Sequence, residues 1–270
     1  MAAITVTSFH SKVLTFYKNH GRFNLPWRKT RNPYRIFVSE IMLQQTQVDR
    51  VVPYYKAFLK KFPTHHSLAD ASLADVVRLW HGLGYNRRAK MLHEAAQHIE
   101  IHHKTFPRSY EELVELPGVG DYTAKAIRVF AYDKQETLIE TNIRSVYLYH
   151  FFKKEKKVPD REILKIIEKT MPRDVPPRVW YAALMDYGSH IKKTTPNPSR
   201  KSTHHTRQTP FKGSNREVRG AIVKFLLEKP KTTNAVLTLP FDRTRLIAQL
   251  SALEQEGIII KKSSRYQLPD

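Results

Sequence analysis

The 270-residue chain contains no cysteine. That absence excludes disulfides, thiolate nucleophiles and any iron–sulfur cluster held by cysteine. Long apolar runs are missing too: nothing approaches the roughly 18 residues a membrane-spanning helix needs, so no membrane partner is expected. The first residues, MAAITVTSFHSKV, lack the basic-then-apolar layout of a signal peptide, which predicts a cytoplasmic setting. Acidic residues are scarce, with 25 Asp and Glu against 46 Lys and Arg, a formal charge of +21. Such an excess favours a polyanionic partner. Six of the 13 histidines fall in pairs, His65-His66, His102-His103 and His204-His205, in polar surroundings. No two of them show a ligand spacing on one helix face with a carboxylate partner, so solvated histidines are expected and no metal site.

What is present is helical periodicity. Apolar residues recur at three and four in FHSKVLTFYKNH, FVSEIMLQQTQVDRVVPYYKAFLKKF, LADVVRLWHGL, RRAKMLHEAAQHIEIHH, SYEELVEL and REILKIIEKTM. Short connectors with Pro, Gly or Asn separate them, so residues 1–191 read as an all-α body. Residues 192–212, KKTTPNPSRKSTHHTRQTPFK with its leading cations, form a basic linker or a strap that tracks a backbone. Residues 213–270 follow as three helices and a hairpin around Ser263-Ser264, resembling a small winged helix. Arg243 and Arg245 stand near the start of its third helix, where a recognition helix would meet DNA, although a protein-contact role fits the same pattern.

Two stretches carry chemistry. In LPGVGDYTA, Leu116 to Ala124, two glycines after a proline make a turn that feeds a helix N-terminus, an anion site suited to phosphate. Eighteen residues after Tyr122 comes Glu140, with Thr141 or Asn142 after it expected to cap the next helix, which sets the Glu140 carboxylate at a helix N-terminus. The helix dipole and N–H groups there favour negative charge, and a carboxylate held against developing positive charge suits an oxocarbenium-like transition state. Upstream, Glu40 lies among Val38, Ile41, Met42 and Leu43; apolar surroundings let a carboxyl keep its proton and act as a general acid. Taken singly, either glutamate could equally be a cap or an ion-pair partner.

The motifs PWRKTRNPYRIFVSEIMLQQTQVDRVVPYY, LWHGLGYNRRAKMLHEAAQ, LPGVGDYTAKAI, ETNIRSV and WYAALMDYGSHI resemble, in order and spacing, the catalytic core of the MutY-type adenine DNA glycosylases. These belong to the helix-hairpin-helix glycosylase superfamily, which includes endonuclease III. The resemblance runs from about Phe16 to Ile191. It implies a two-lobed helix-hairpin-helix core, a monomer on double-stranded DNA with a mispaired or damaged base, and a nucleoid setting if the cell is prokaryotic. It implies that Leu116, Gly118 and Gly120 clasp a DNA phosphate beside a flipped base. Glu40 matches the acid that protonates the purine, and Tyr122 a tyrosine that contacts the sugar. That position carries a Schiff-base lysine in the endonuclease III branch, so base removal without β-elimination is implied. Gln44 and Gln45 match residues that enter the gap left by the base, Tyr85 a wedge beside the opposite strand, and Trp27, Arg28 and Asp186 the base pocket.

Three departures stand out. Glu140 occupies the position of the family's catalytic aspartate. The family's cysteine positions are taken by Lys192, Ser199 and Ser202, leaving Lys192, Lys193, Arg200, Lys201 and Arg207 to strap DNA by charge, with no cofactor beyond room for a structural cation at the hairpin. The Nudix-like domain that senses 8-oxoguanine is replaced by the winged helix. Three readings therefore stand: adenine removal from a mispair; removal of cytosine, a methylated base, uracil, thymine or hypoxanthine; and DNA binding without catalysis.

Overall fold

The computed structural model describes residues 4–206 and 208–269. In chain order its elements are α1 (Val6–His20), a 3-10 turn (Pro26–Lys29), α2 (Pro33–Leu43), α3 (Val48–Lys61), α4 (His65–Ala69), α5 (Leu73–Trp80), α6 (Arg87–His102) and α7 (Tyr110–Glu115). Then come α8 (Asp121–Tyr132), α9 (Thr141–His150), α10 (Asp160–Lys169), α11 (Pro177–Thr194) and a second 3-10 turn (Pro198–Lys201). The last part holds α12 (Asn215–Leu226), β1 (Lys231–Thr232), α13 (Thr233–Val236), α14 (Arg243–Gln255), β2 (Ile260–Lys262) and β3 (Arg265–Gln267). Among the described residues no helix is long and apolar enough to cross a membrane.

The chain forms two compact units that do not follow its linear order. One comprises Met1–Ile36, Arg108–Val114 and Val119–Arg207; the other comprises Phe37–Pro107, Glu115–Gly118 and Gln208–Asp270. The C-terminal module thus belongs to the same unit as α3 to α6. Within the first unit α1, α9 and α11 pack together around Phe9, whose ring lies 5.3 Å from Tyr147 and 5.8 Å from Trp180. Gly188 allows α11 to press on α9: a Cβ there would stand 2.1 Å from the Asn142 carbonyl oxygen. Within the second unit Phe58 and Trp80 meet edge to face at 6.1 Å, and α4 and α5 lie against α6.

The long helix expected from FVSEIMLQQTQV onward is two helices. It breaks after Leu43, and Gln45 takes φ +53° before α3 restarts at Val48. Apolar periodicity runs through the break because both helices bury the same kind of face, which hides a turn made of glutamines. The His65-His66 pair also differs from expectation. It opens α4, with His65 Nε2 3.2 Å and His66 Nδ1 2.5 Å from Glu100 Oε1 on α6. A carboxylate 34 residues further on supplies the partner that local spacing did not show.

The C-terminal module holds three helices, α12 to α14, and a terminal hairpin, β2 and β3. A three-stranded antiparallel sheet of order β1-β3-β2 closes it, with the two-residue strand β1 unforeseen because it is too short to show alternation. Ser263 and Ser264 both have positive φ, the twist that a two-residue hairpin turn demands.

Candidate active site and nucleic-acid interface

Glu140 is the N-cap of α9. Its extended backbone, φ −137° and ψ 178°, turns the carboxylate over the first helical turn. Oε1 accepts from the Asn142 N–H at 2.8 Å and the Ile143 N–H at 2.9 Å, and Oε2 accepts from Asn142 Nδ2 at 3.1 Å. Hydrogen bonds to a charged acceptor are each worth about 1.5–3 kcal/mol, so the extra methylene of glutamate is absorbed in a fixed pose rather than left swinging. Three bonds use three of the roughly four acceptor positions of a carboxylate.

Lys192 lies beside this carboxylate. Burial and the nearby Arg22 pull its ammonium down from the usual lysine range, and Glu140 pushes it back up. It sits in the last turn of α11, as does Lys193, so both lie on a helix rather than in the strap where they were expected.

Asp186 is buried in the same unit, its side chain 2% exposed. It accepts from the Arg22 backbone N–H at 2.8 Å and from Arg22 Nε at 2.7 Å, with Arg28 Nη2 at 3.1 Å on the same carboxylate. Two guanidinium groups thus compensate the desolvated charge. Arg28 also reaches Tyr17 Oη and the Ala182 carbonyl, and Trp27 is buried in the adjoining 3-10 turn. Arg22 was missed in the sequence because it lies outside the PWR motif; the signal was only a cation close before it.

The segment from Thr195 to Thr206 is ordered by hydroxyls. Asn197 caps the second 3-10 turn and accepts from Ser199 Oγ at 2.7 Å, while Ser202 Oγ accepts from the His204 N–H at 3.0 Å. Ser202 bridges Val158, and Lys201 Nζ donates to the carbonyls of Phe152 and Lys153. Ser199 and Ser202 are buried and Arg200 is exposed. Two hydroxyls and an ammonium cannot ligate iron as thiolates do, so these positions do not fit the cluster that the resemblance implies. Arg207 lies outside the described residues.

Gly118 takes φ +78°, and a Cβ there would lie 2.8 Å from Met91 Cβ. Gly120 caps α8 and a Cβ there would meet nothing within 4 Å. Leu116 is buried beneath the turn, and Tyr122, half-buried, sits in the first turn of α8. Glu40 lies on α2, 8% exposed, next to the buried Ser39 and Ile41.

The loops carrying Gln44, Gln45 and Tyr85 are joined by a buried arginine. Arg88 Nη1 donates to the carbonyls of Ile41, Met42 and Gln44, and Nη2 to Thr46 Oγ1 at 3.2 Å and the Gly84 carbonyl at 3.0 Å. Burial pulls its pKa down to about 10. In the C-terminal module Arg243 is exposed, whereas Arg245 donates to the Gly213 carbonyl and Asn215 Oδ1.

Residues 38–173 match the family described as HhH-GPD superfamily base excision DNA repair protein. The chain belongs to that superfamily. It is 38% identical over 171 residues to the adenine DNA glycosylase of Buchnera aphidicola subsp. Baizongia pistaciae, covering 63% of this chain and 49% of that protein. To the adenine DNA glycosylase of Mycolicibacterium smegmatis it is 37% identical over 182 residues, covering 67% and 62%. The chain therefore spans about half the length of the first of these curated relatives. Among solved structures it resembles a thermostable thymine-DNA glycosylase, with a TM-score of 0.61 and 26% identity over 73% of this chain and 91% of that one. The mostly helical fold is that of the HhH glycosylases.

Proposed function

We propose that this HhH-GPD chain is a monofunctional DNA N-glycosylase that removes adenine mispaired with guanine or 8-oxoguanine. The observation that carries the reading is Glu140: a carboxylate pinned by two backbone N–H groups at a helix start, a fixed negative charge of the kind that stabilises a cationic sugar. Glu40 is the general acid. It gives its proton to N7 as the C1′–N9 bond breaks, Glu140 stabilises the oxocarbenium charge, and a water oxygen then bonds to C1′ while the proton it releases returns to the Glu40 carboxylate. Tyr122 stands where a lysine would be needed for a Schiff base, so strand cleavage by that route is not part of the reaction. Adenine removal is supported by the similarity to adenine DNA glycosylases. The reaction as written needs no metal or cluster, and DNA is bound in the cytoplasm by a monomer through the hairpin 116–120, Lys193, Arg200 and Arg243.

A second reading, removal of thymine or another base, is favoured by glutamate at the position of the family's aspartate and by the likeness to the thymine-DNA glycosylase. Purified protein is incubated with labelled duplexes bearing adenine opposite 8-oxoguanine, guanine or thymine, beside uracil, cytosine, methylcytosine, hypoxanthine and thymine substrates, followed by alkali. Release of adenine opposite guanine or 8-oxoguanine supports the first reading, and release of another base the second. Glu140→Gln keeps the cap acceptor and removes the charge, so it should lower release by at least about a hundredfold with duplex binding preserved. Release unchanged in that variant would remove Glu140 from the mechanism.

A further inference from the structure

The C-terminal module grips Tyr85, the residue that the family resemblance sets beside the opposite strand. Arg216, near the start of α12, donates from Nη1 to Tyr85 Oη at 3.1 Å, and its guanidinium carbon lies 5.7 Å from the Tyr85 ring centre. Gln208 Nε2 donates to the same hydroxyl. Arg216 Nη2 is braced by the Thr209 carbonyl at 2.5 Å. From the other part of the unit Arg88, 5.4 Å from the Tyr85 ring centre, ties that loop to the Gln44-Gln45 loop. Tyr85 and Gln45 both hold left-handed backbone, φ +51° and +53°, which costs energy for a residue with a Cβ and concentrates at binding sites. Tyr85 and Arg216 are each half-buried, and Gln45 and Gln208 are exposed.

We propose that Arg216, aided by Gln208 and seated on Tyr85, reads the base left behind in the opposite strand, and that of the two bases in the reading above this is guanine, whose O6 and N7 both accept, rather than 8-oxoguanine, whose N7 carries hydrogen. The inference rests on the base-flipping reading above. Extrusion strips the remaining base of its Watson–Crick bonds and its stack. An aromatic ring restores stacking to any base, whereas a guanidinium fork matches two coplanar acceptors and so selects the guanine edge. Arg216 keeps donors for this: among the described residues its Nε has no acceptor. Specificity for the opposite base would then come from a module unlike the one that the family's long members use.

The test uses the full chain and duplexes with tetrahydrofuran, an uncleavable abasic analogue, opposite guanine, 7-deazaguanine, thymine or cytosine, with Kd read by fluorescence anisotropy. Wild type should prefer guanine over thymine by about 5- to 100-fold. Arg216→Ala should bring that ratio close to one while binding to the thymine duplex stays nearly the same, and 7-deazaguanine, which lacks the N7 acceptor, should lose the preference with wild type. Tyr85→Phe keeps the ring, removes the hydroxyl that seats Arg216 and should lower the ratio in part. No preference in wild type, an undiminished ratio in Arg216→Ala, or an equal loss on every duplex in that variant would overturn the proposal. Base release measured on the same preparations separates the two claims: discrimination without release from any substrate refutes the glycosylase reading alone, and release without discrimination refutes this one alone.

Discussion

At the scale of single residues, the chain shows which chemistry local sequence can reveal. Glu140 was legible as a carboxylate at a helix start, but the cap was expected at Thr141 or Asn142; the helix already begins at Thr141, so Glu140 itself is the cap and its side chain accepts the two N–H bonds that this position offers. Asp186 was legible as a position but not as a state, because the arginines that hold it come from 164 and 158 residues away. His150 gave no signal at all. It closes α9, 8% exposed, with Nε2 3.0 Å from Tyr187 Oη and its ring beside Phe9. Burial, with Lys12 and Lys153 nearby, lowers its pKa from 6.5 to about 4. The folded state therefore binds fewer protons than the unfolded chain below the unfolded value of 6.5. Stability is intact above pH 6.5, falls as pH drops towards 4, and loses about 2–3 kcal/mol across that window. Thermal melts from pH 7 to pH 4 check this against His150→Gln, which cannot titrate: the wild-type Tm should fall more steeply, and parallel curves would show that His150 is not the group responsible.

At the scale of elements, helix existence was readable and helix boundaries were not. Periodicity marked α1, α2, α3, α5, α6, α7 and α10 because each buries one face, yet it left the short α4 unmarked, ran across the Leu43–Gln47 break and gave no hint of β1. The glycine hairpin was legible in both respects, and its two glycines now separate. Gly118 is required by the fold: its positive φ costs a residue with a Cβ about 1–2 kcal/mol, and the Met91 contact adds to that. Gly120 has open space before it and φ −96°, which alanine adopts freely. Gly118→Ala should therefore lower Tm by several degrees. Gly120→Ala should cost at most about 1 kcal/mol of capping, while placing a methyl where a phosphate oxygen would approach the α8 N-terminus. Duplex affinity in Gly120→Ala should drop by on the order of tenfold, about 1.4 kcal/mol. Unchanged affinity in a normally folded Gly120→Ala would mean that the hairpin does not hold phosphate.

At the scale of the whole molecule the net charge of +21 sets the expectation of a polyanion, and composition alone made that legible. Where the charge acts was not legible, because Arg245, expected to face DNA, is spent on Gly213 and Asn215, and Lys192 sits beside Glu140. Among the exposed cations of the C-terminal module are Arg243 at the start of α14 and Lys261, Lys262 and Arg265 flanking the Ser263-Ser264 turn. A β-hairpin tip with three cations and no carboxylate between them suits a phosphate backbone and carries no base-reading geometry. Each phosphate neutralised contributes about 0.9 to the slope of log K against log salt. Replacing Lys261, Lys262 and Arg265 together by alanine should thus flatten that slope by about 2 to 3 units, to the same extent on every duplex, because phosphate contacts position without specifying. Arg216→Ala should do the opposite, changing the guanine-to-thymine ratio and the slope by at most about one. If the triple variant leaves the slope unchanged, the hairpin faces away from DNA and the module's hold on the duplex reduces to its contacts around Tyr85.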